Sequence, residues 1–590
     1  MTKKMHAWSL AALPLAIGLA SFAGSANAVN FNIGDIQAQF DSQLSIGASM
    51  STQNANKRFI HPLTAIDGVN QGGVGAARTT DDGRLNYKAG DVFSKIFRGV
   101  HDLELNYGDS GAFFRGKYWY DFETKDGSQR FYDIDDSGRP PLVKGAGTAL
   151  LDAFVYHNYT IGNNPGNVRL GRQVVSWGES TFIQNSINSI NPVDVAAFRR
   201  PGAEIKEGLM PVEMLYISQG LTDNLTMEAF YQLKWAPFAI DNCGTFFGAD
   251  TLATGCNDRL VVGGADEPQG DPSLNGRITV RAGKDRDASD DGQFGVAFRY
   301  YAAALNDTEF GFYAMNYHSR APLYSNIQGP QVGLGGLGGG AGYFFEYPED
   351  IRLYGVSFAT NVSGTAVSGE VSYRPNQPLQ ITTGSVSIAG LNGVGAFIGR
   401  PDEVYGAGDY IQGYDRKGVY QAQVTAIHFI ERVLGASRLS LVGEVGYNYI
   451  EGLSDKDGST FYGRDSVFGQ SPLADGTCPV TASNTPTKAA SLCETDGFYS
   501  SSSWGYRMRA SLDYSNVFAG INLSPNLTWS HDVDGTGPNF IENAKAISIG
   551  INADYANKYT ASLSYTDFFD GKYNTNVDRD FVSASLSVSF

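Results

Sequence analysis

Residues 581–590 read FVSASLSVSF, which puts Val582, Ala584, Leu586, Val588 and Phe590 on one side of an extended chain and Ser583, Ser585, Ser587 and Ser589 on the other. A period of two is the mark of a strand, because successive side chains point to opposite faces. Here one face is wholly apolar and the other wholly hydroxyl, the contrast a strand needs between lipid and a wet lumen.

The same design recurs upstream. Trp504, Tyr506, Met508, Ala510 and Leu512 alternate with Arg507, Arg509, Ser511 and Asp513, and Ile547, Ile549, Ile551 and Ala553 with Ser548, Asn552 and Asp554. Comparable stretches lie near 40–50, 97–107, 112–122, 151–160, 168–174, 210–217, 225–234, 292–303, 309–317, 351–360, 366–374, 417–430, 439–450, 518–530 and 559–567. Connections alternate short and long, the short ones including Gly108-Asp109-Ser110, Tyr514-Ser515-Asn516 and Tyr555-Ala556-Asn557-Lys558. The expected fold is all-β: a transmembrane antiparallel barrel of about 16 to 18 strands with long outer loops, both termini inside, and one loop folded into the lumen. Tyr107, Tyr118, Trp119, Tyr120, Trp235, Tyr447, Tyr449, Trp529 and Tyr565 near strand ends suit two interfacial girdles.

Composition agrees with strands and turns. The 590 residues are 42% hydrophobic and only 18% charged, with 71 Gly, 32 Tyr and 35 Phe and a net charge of −17, which excludes a disordered chain and argues against a coiled coil. The acidic balance also disfavours nucleic acid.

Residues 1–28 carry Lys3 and Lys4, an apolar run from Leu10 to Phe22, and Ala26-Asn27-Ala28, the three regions of a cleavable secretory signal. Cleavage after Ala28 leaves a single barrel over 29–590 and moves the charge from −17 to −19. No strongly apolar window long enough for a membrane helix follows, since Ser325–Phe345 and Gln377–Gly399 are rich in Gly, Ser, Gln and Thr. An exported chain of this kind is expected in the outer membrane of a Gram-negative cell, where only helices and closed barrels satisfy their backbone groups in lipid. The first strand follows the signal within about a dozen residues, so no N-terminal plug is expected.

Cys243 with Cys256, and Cys478 with Cys493, each fall inside one outer loop. Exported thiols usually pair, and the local pairing closes loops of about 15 residues, worth about 3 kcal/mol each. Asp133-Ile134-Asp135-Asp136-Ser137-Gly138 begins like a calcium loop, but Lys144 stands where the bidentate glutamate belongs, which favours a solvated acidic turn. Gly333, Gly335 and Gly338 form a G-x-G-x-x-G inside a glycine-rich loop with no strand before it or helix after it, so nucleotide binding is rejected. No metal or cofactor is expected. Ser180 in Trp177-Gly178-Glu179-Ser180 lacks a nucleophile elbow and the histidines are scattered, so no catalytic constellation assembles.

Taking polar strand faces as inward puts Arg115, Lys117, Arg299, Arg507 and Arg509 in the lumen with Asp102, Glu104, Glu228, Glu370, Glu444 and Asp513. The expected constriction is Gly171–Gly208, GRQVVSWGESTFIQNSINSINPVDVAAFRRPGAEIKEG, with Arg172, Trp177, Glu179, Asp194, Arg199, Arg200, Glu204, Lys206 and Glu207 as candidates.

That stretch, with DDGRLNYKAGDVFSKIFRGVHDLELNYGDSGAFFRGKYWYDFE at 81–123 and GYDRKGVYQAQVTAIHF at 413–429, resembles the outer-membrane family catalogued as domain of unknown function 1302. Phe590 resembles the terminal aromatic of chains handed to the outer-membrane insertion machinery. The family resemblance covers the mature chain and implies a large barrel. It also implies a periplasmic lipoprotein-like partner, a resistance-nodulation-division type inner-membrane exporter, and movement of lipids or other hydrophobic molecules. The resulting expectation is a monomeric channel or transporter in outer-membrane lipid, gated by its inward loop, for a hydrophobic or amphipathic compound. Alternatives are a passive porin for hydrophilic solutes, a lipid-modifying barrel enzyme using Ser180 or His428, and an adhesive barrel presenting stapled loops.

Overall fold

The computed structural model describes residues 29–201, 205–248, 255, 259–261, 278–329, 342–392, 400, 402–453, 460–472 and 493–590. The predicted signal at 1–28, Glu204, Cys256, Cys478 and the glycines at 333–338 lie outside them.

Eighteen strands close into an antiparallel barrel. They are β1 Ile36–Ser51, β2 Val92–Tyr107, β3 Ser110–Asp121, β4 Ala146–Ile161, β5 Asn164–Gln173, β6 Val212–Thr222, β7 Leu225–Gln232, β8 Phe294–Ala302 and β9 Thr308–Tyr317. They continue as β10 Ile351–Val362, β11 Thr365–Gln380, β12 Tyr414–Glu431, β13 Arg438–Ile450, β14 Ser502–Phe518, β15 Ile521–Asp534, β16 Lys545–Tyr555, β17 Tyr559–Phe569 and β18 Phe581–Ser589. Each pairs with its neighbour in the chain, and β18 closes on β1 from Gln43 opposite Ser589 to Ser51 opposite Phe581. Val29–Ile33 folds back on Ile36–Phe40 as a short hairpin.

The alternation is inside out relative to a soluble sheet. On β11–β13 the outward Val371, Val424 and Val445 are 45%, 49% and 51% exposed, whereas the inward Glu370, Gln423 and Glu444 are 3%, 3% and 1% exposed. Apolar side chains outward and polar side chains inward are what a bilayer outside and water inside select. Tyr354, Tyr373, Tyr420 and Tyr449 stand in one outward row across β10–β13, with Tyr373 stacked on Tyr420 at 4.2 Å, as an interfacial belt requires. Among the described residues no helix is long and apolar enough to cross a membrane.

Three readings of the sequence are corrected. Trp119 faces inward, opposite Arg98, and its indole Nε1 donates to the Lys144 carbonyl at 2.7 Å, so it is no girdle residue. The turn expected at Tyr514–Asn516 is an irregular stretch within β14, and the chain reverses instead at Ala519 and Gly520, both at positive φ. The segments Arg259–Val261, Ile278–Arg281, Leu323–Ile327, Gly342–Glu346 and Tyr410–Ile411, all read as loop, form a five-stranded sheet. Tyr324, Tyr343 and Phe345 of that sheet pack with Val386 and Ile388 of the helix Thr383–Asn392 and with Val419 and Ile450 of β12 and β13.

Candidate functional site

The connection from β5 to β6 turns into the barrel. Asn191 fixes its entry and exit together, its Oδ1 accepting from Val175 N at 2.9 Å and its Nδ2 donating to the carbonyls of Gln173 and Met210 at 3.2 and 3.0 Å. Between these points Val175, Trp177, Ile187 and Ile190 are buried against Met214, Tyr216, Phe230, Tyr313, Met315 and Leu353. Those strand residues face inward by register, so the upper lumen of β6–β10 is apolar where the loop covers it.

Two carboxylates then hold the first arm of the loop across the lumen. Glu444 on β13 accepts the backbone N–H of Thr181, Phe182 and Ile183 at 2.9, 2.7 and 2.6 Å, and the Thr425 hydroxyl at 2.9 Å. Glu370 on β11 accepts Glu179 N and, at 3.2 Å, Ile187 N. Hydrogen bonds to an ionised acceptor are worth about 1.5–3 kcal/mol each, so these two side chains do the work of a short strand pairing. Arg374 donates to the Asn185 and Ser186 carbonyls, and Gln421 to that of Gln184 at 2.8 Å. Gly178 sits at φ +87°, and a Cβ there would come 2.4 Å from Glu370 Oε2, so this position requires glycine.

The second arm returns along the opposite wall. Asp194 caps the helix α1, Val195–Arg199, through Ala197 N at 3.0 Å and pairs with Lys117 of β3 at 3.2 Å, both side chains buried. Glu207 pairs with Arg98 of β2. Pro201 lies against Gly47 of β1, where a Cβ would approach it to 2.9 Å. The loop is therefore braced on β1–β3 and on β7–β13.

The sequence candidates distribute as follows. Trp177 donates through Nε1 to Glu228 at 2.7 Å and packs on Phe230 and Tyr313. Arg299 binds Glu228 at 3.2 Å and Glu309 at 2.9 Å, with Glu179 at 3.8 Å. Arg115 pairs with Asp102 at 2.8 Å and Arg507 with Asp532 at 2.6 Å. Arg509 faces inward beside Thr528 and is exposed. Arg199 pairs with Asp241, Arg200 donates to the Leu142 carbonyl at 3.2 Å, and Lys206 belongs to the helix Ile205–Gly208. Arg172 is placed elsewhere: register puts it on the outward face with Leu170, its Nε donating to the Pro211 carbonyl at 3.2 Å. Reading the sequence missed Glu370 and Glu444 as loop anchors, because their partners are backbone amides that no residue pattern announces.

Among the described residues, the remaining wall keeps its inward side chains at least partly exposed. Ser524, Asn526, Thr528 and Ser530 of β15, Ser548 and Asn552 of β16, and Ser562, Ser564 and Thr566 of β17 face inward, and none is buried. Hydroxyls bond across strands, Ser562 to Ser585 at 2.7 Å and Ser564 to Ser583 at 2.9 Å. Ser180 belongs to the lumen loop, while His428 faces outward opposite Leu441, so the two groups named for an enzyme share no site.

In the outer loops, Asp133 accepts from Ser128 and Gln129 at 3.0 Å, Asp135 from Ser137 N at 2.8 Å, and Asp136 from Lys125 at 3.1 Å, so the carboxylates of the acidic turn serve the turn itself. Among the described residues no group of three His, Cys, Asp or Glu side chains is arranged to hold a metal ion. No free cysteine occurs among them, and the expected partners of Cys243 and Cys493 lie outside them.

The family described as Protein of unknown function (DUF1302) matches residues 9–590. None of the curated proteins matches the chain. Among solved structures it is similar to OccAB1 of Acinetobacter baumannii, with 9% identity, 96% of this chain and 99% of that chain covered and a TM-score of 0.40. A BenF-like porin from Pseudomonas fluorescens Pf-5 gives 9% identity over 94% and 98% of the two chains with a TM-score of 0.39. OccK2 (OpdF) of Pseudomonas aeruginosa, in complex with glucuronate, gives 10% identity over 94% and 97% with a TM-score of 0.36.

Proposed function

The chain belongs to the DUF1302 family, and from that premise and the loop-braced lumen we propose that it is an outer-membrane channel whose passage is set by residues 174–211. The observation that carries this reading is the lumen loop held by three amides on Glu444, with a polar wall left open opposite it. A closed barrel with an apolar outer face and a wet interior offers a route across the membrane, and the inward loop is the part of it that narrows. The cargo in this reading is amphipathic, since polar and apolar side chains both face the lumen. A second reading, passage of hydrophilic solutes, is favoured by the hydroxyl wall of β15–β17.

Export by the 1–28 signal, pairing of Cys243 with Cys256 and of Cys478 with Cys493, and a periplasmic partner linked to an inner-membrane exporter complete the proposal. The test is single-channel conductance in a planar bilayer. Deleting 176–190, or replacing Glu370 and Glu444 together by alanine, should raise the conductance of the folded barrel; an unchanged pore would sink the reading.

A further inference from the structure

Below the loop anchors, one row of inward side chains runs across four strands: Ala366 on β11 opposite Ile427 on β12, Ile427 opposite Val442 on β13, and Val442 opposite Arg509 on β14. Phe429, two residues beyond Ile427, shares their face and is 50% exposed. The inward sense of the row is fixed by Thr425 and Glu444, which stand one pleat from Ile427 and Val442 on the loop side and bind the lumen loop. On β14–β17 the same row is polar, continuing through Thr528, Ser548 and Thr566.

This apolar strip differs from the apolar lining of β6–β10. There Met214, Tyr216, Phe230, Tyr313, Met315 and Leu353 are buried under the loop. Here none of Ala366, Ile427, Phe429 and Val442 is buried. Apolar surface left in water forgoes about 25 cal/mol per Å², so a strip that stays partly exposed, with the Arg438 guanidinium 5.1 Å from the Phe429 ring at its end, favours an apolar occupant.

The charge beside it identifies that occupant further. Glu444, two residues from Val442, is already taken up by loop amides, and Arg507 by Asp532 at 2.6 Å. Arg509 is exposed and has no ion pair with any described residue. With strands about 4.8 Å apart, the strip from β11 to β13 spans about 10 Å and ends one strand short of this guanidinium.

We propose that Ala366, Ile427, Phe429, Val442 and Arg509 form a binding site for an anionic amphiphile, its apolar chain lying along β11–β13 and its negative head on Arg509. The inference rests on the channel reading of the same lumen and names the class of solute that pauses there.

The test titrates sodium octanoate calorimetrically into the full-length protein in lipid nanodiscs, with empty nanodiscs as background. Acetate supplies the head without the chain, and octanol the chain without the head. Octanoate should bind saturably, about tenfold more weakly (about 1.4 kcal/mol) in Arg509→Gln and in the double variant Ile427→Ser with Val442→Ser, with Arg509→Lys restoring affinity. Acetate and octanol should not saturate the site. Equal octanoate affinity in every variant, or no saturable binding, overturns the assignment. Should the double variant fail to fold, the Arg509 pair alone decides. A wild-type barrel that conducts ions but binds no octanoate sinks this inference and spares the channel; one that binds octanoate and never conducts sinks the channel reading instead.

Discussion

At the residue scale, Gly178 and His61 each carry a specific physical requirement. Any side chain at Gly178 meets both a left-handed backbone, at φ +87°, and the Glu370 carboxylate. Gly178→Ala should cost about 1–3 kcal/mol locally and free the first arm, read as greater proteolytic nicking within 176–190 with the barrel still folded. His61, in the loop after β1, has its imidazole held down at about 3 from a normal 6.5, first by burial and then by the nearby Arg78 charge, and its Nδ1 accepts from Leu63 N at 3.2 Å. The fold thus prefers the neutral ring: its contribution is complete above pH 6.5 and is lost as pH falls toward 3. Asp81, whose N–H donor is His61, is raised by burial and by Asp82 and responds in the opposite sense. Proteolysis of 52–91 should therefore rise on acidification in the wild type, and less so in His61→Asn; an identical pH profile would count against this account.

At the element scale, the strands were legible because burial on one side and lipid on the other write a period of two into every one of them, from Gln43–Ser51 to Phe581–Ser589. What misled was local chemistry that suits two structures. Tyr514-Ser515-Asn516 carries turn residues, yet Asn516 at φ +49° sits in an irregular part of β14 and the reversal comes at Gly520. Trp119 has girdle composition, but the amphipathic ring found its hydrogen-bond partner in the Lys144 carbonyl on the lumen side. The site was partly legible: the unusual mix of apolar and charged residues in 171–208 marked the loop, and its acidic members Glu207 and Asp194 do meet partners on β2 and β3. Arg172 was not, because one step beyond Gly171 decides which face a strand residue takes. Glu444 read as one more rung of a charge ladder, and its role follows only from a segment more than 250 residues away in the chain, as Ile183 illustrates with a separation of 261.

At the scale of the whole molecule, the outer loops brace one another as well as the barrel. Arg84 pairs with Asp578 at 3.0 Å, and a Cβ on Gly83 would approach the Thr245 carbonyl to 2.1 Å, so the loops after β1, β7 and β17 share one packed surface. Cys243 lies in that surface and Cys493 in the loop before β14. Peptide mapping without reductant should find 243 linked to 256 and 478 to 493, and reduction should lower the unfolding midpoint of the outer loops before that of the strands; crossed linkages would refute the local pairing. The lumen loop adds a constraint of another kind, one of order in time. It leaves β5, crosses to strands up to β13 that are made later, and returns to touch Gly47 on β1, whose other edge closes on the last strand of the chain. Eight strands, β6–β13, follow the loop in the chain up to its Glu444 anchor, so its bonds to Glu370 and Glu444 can form only with those strands in place, and the ring that encloses it shuts at the β18–β1 seam.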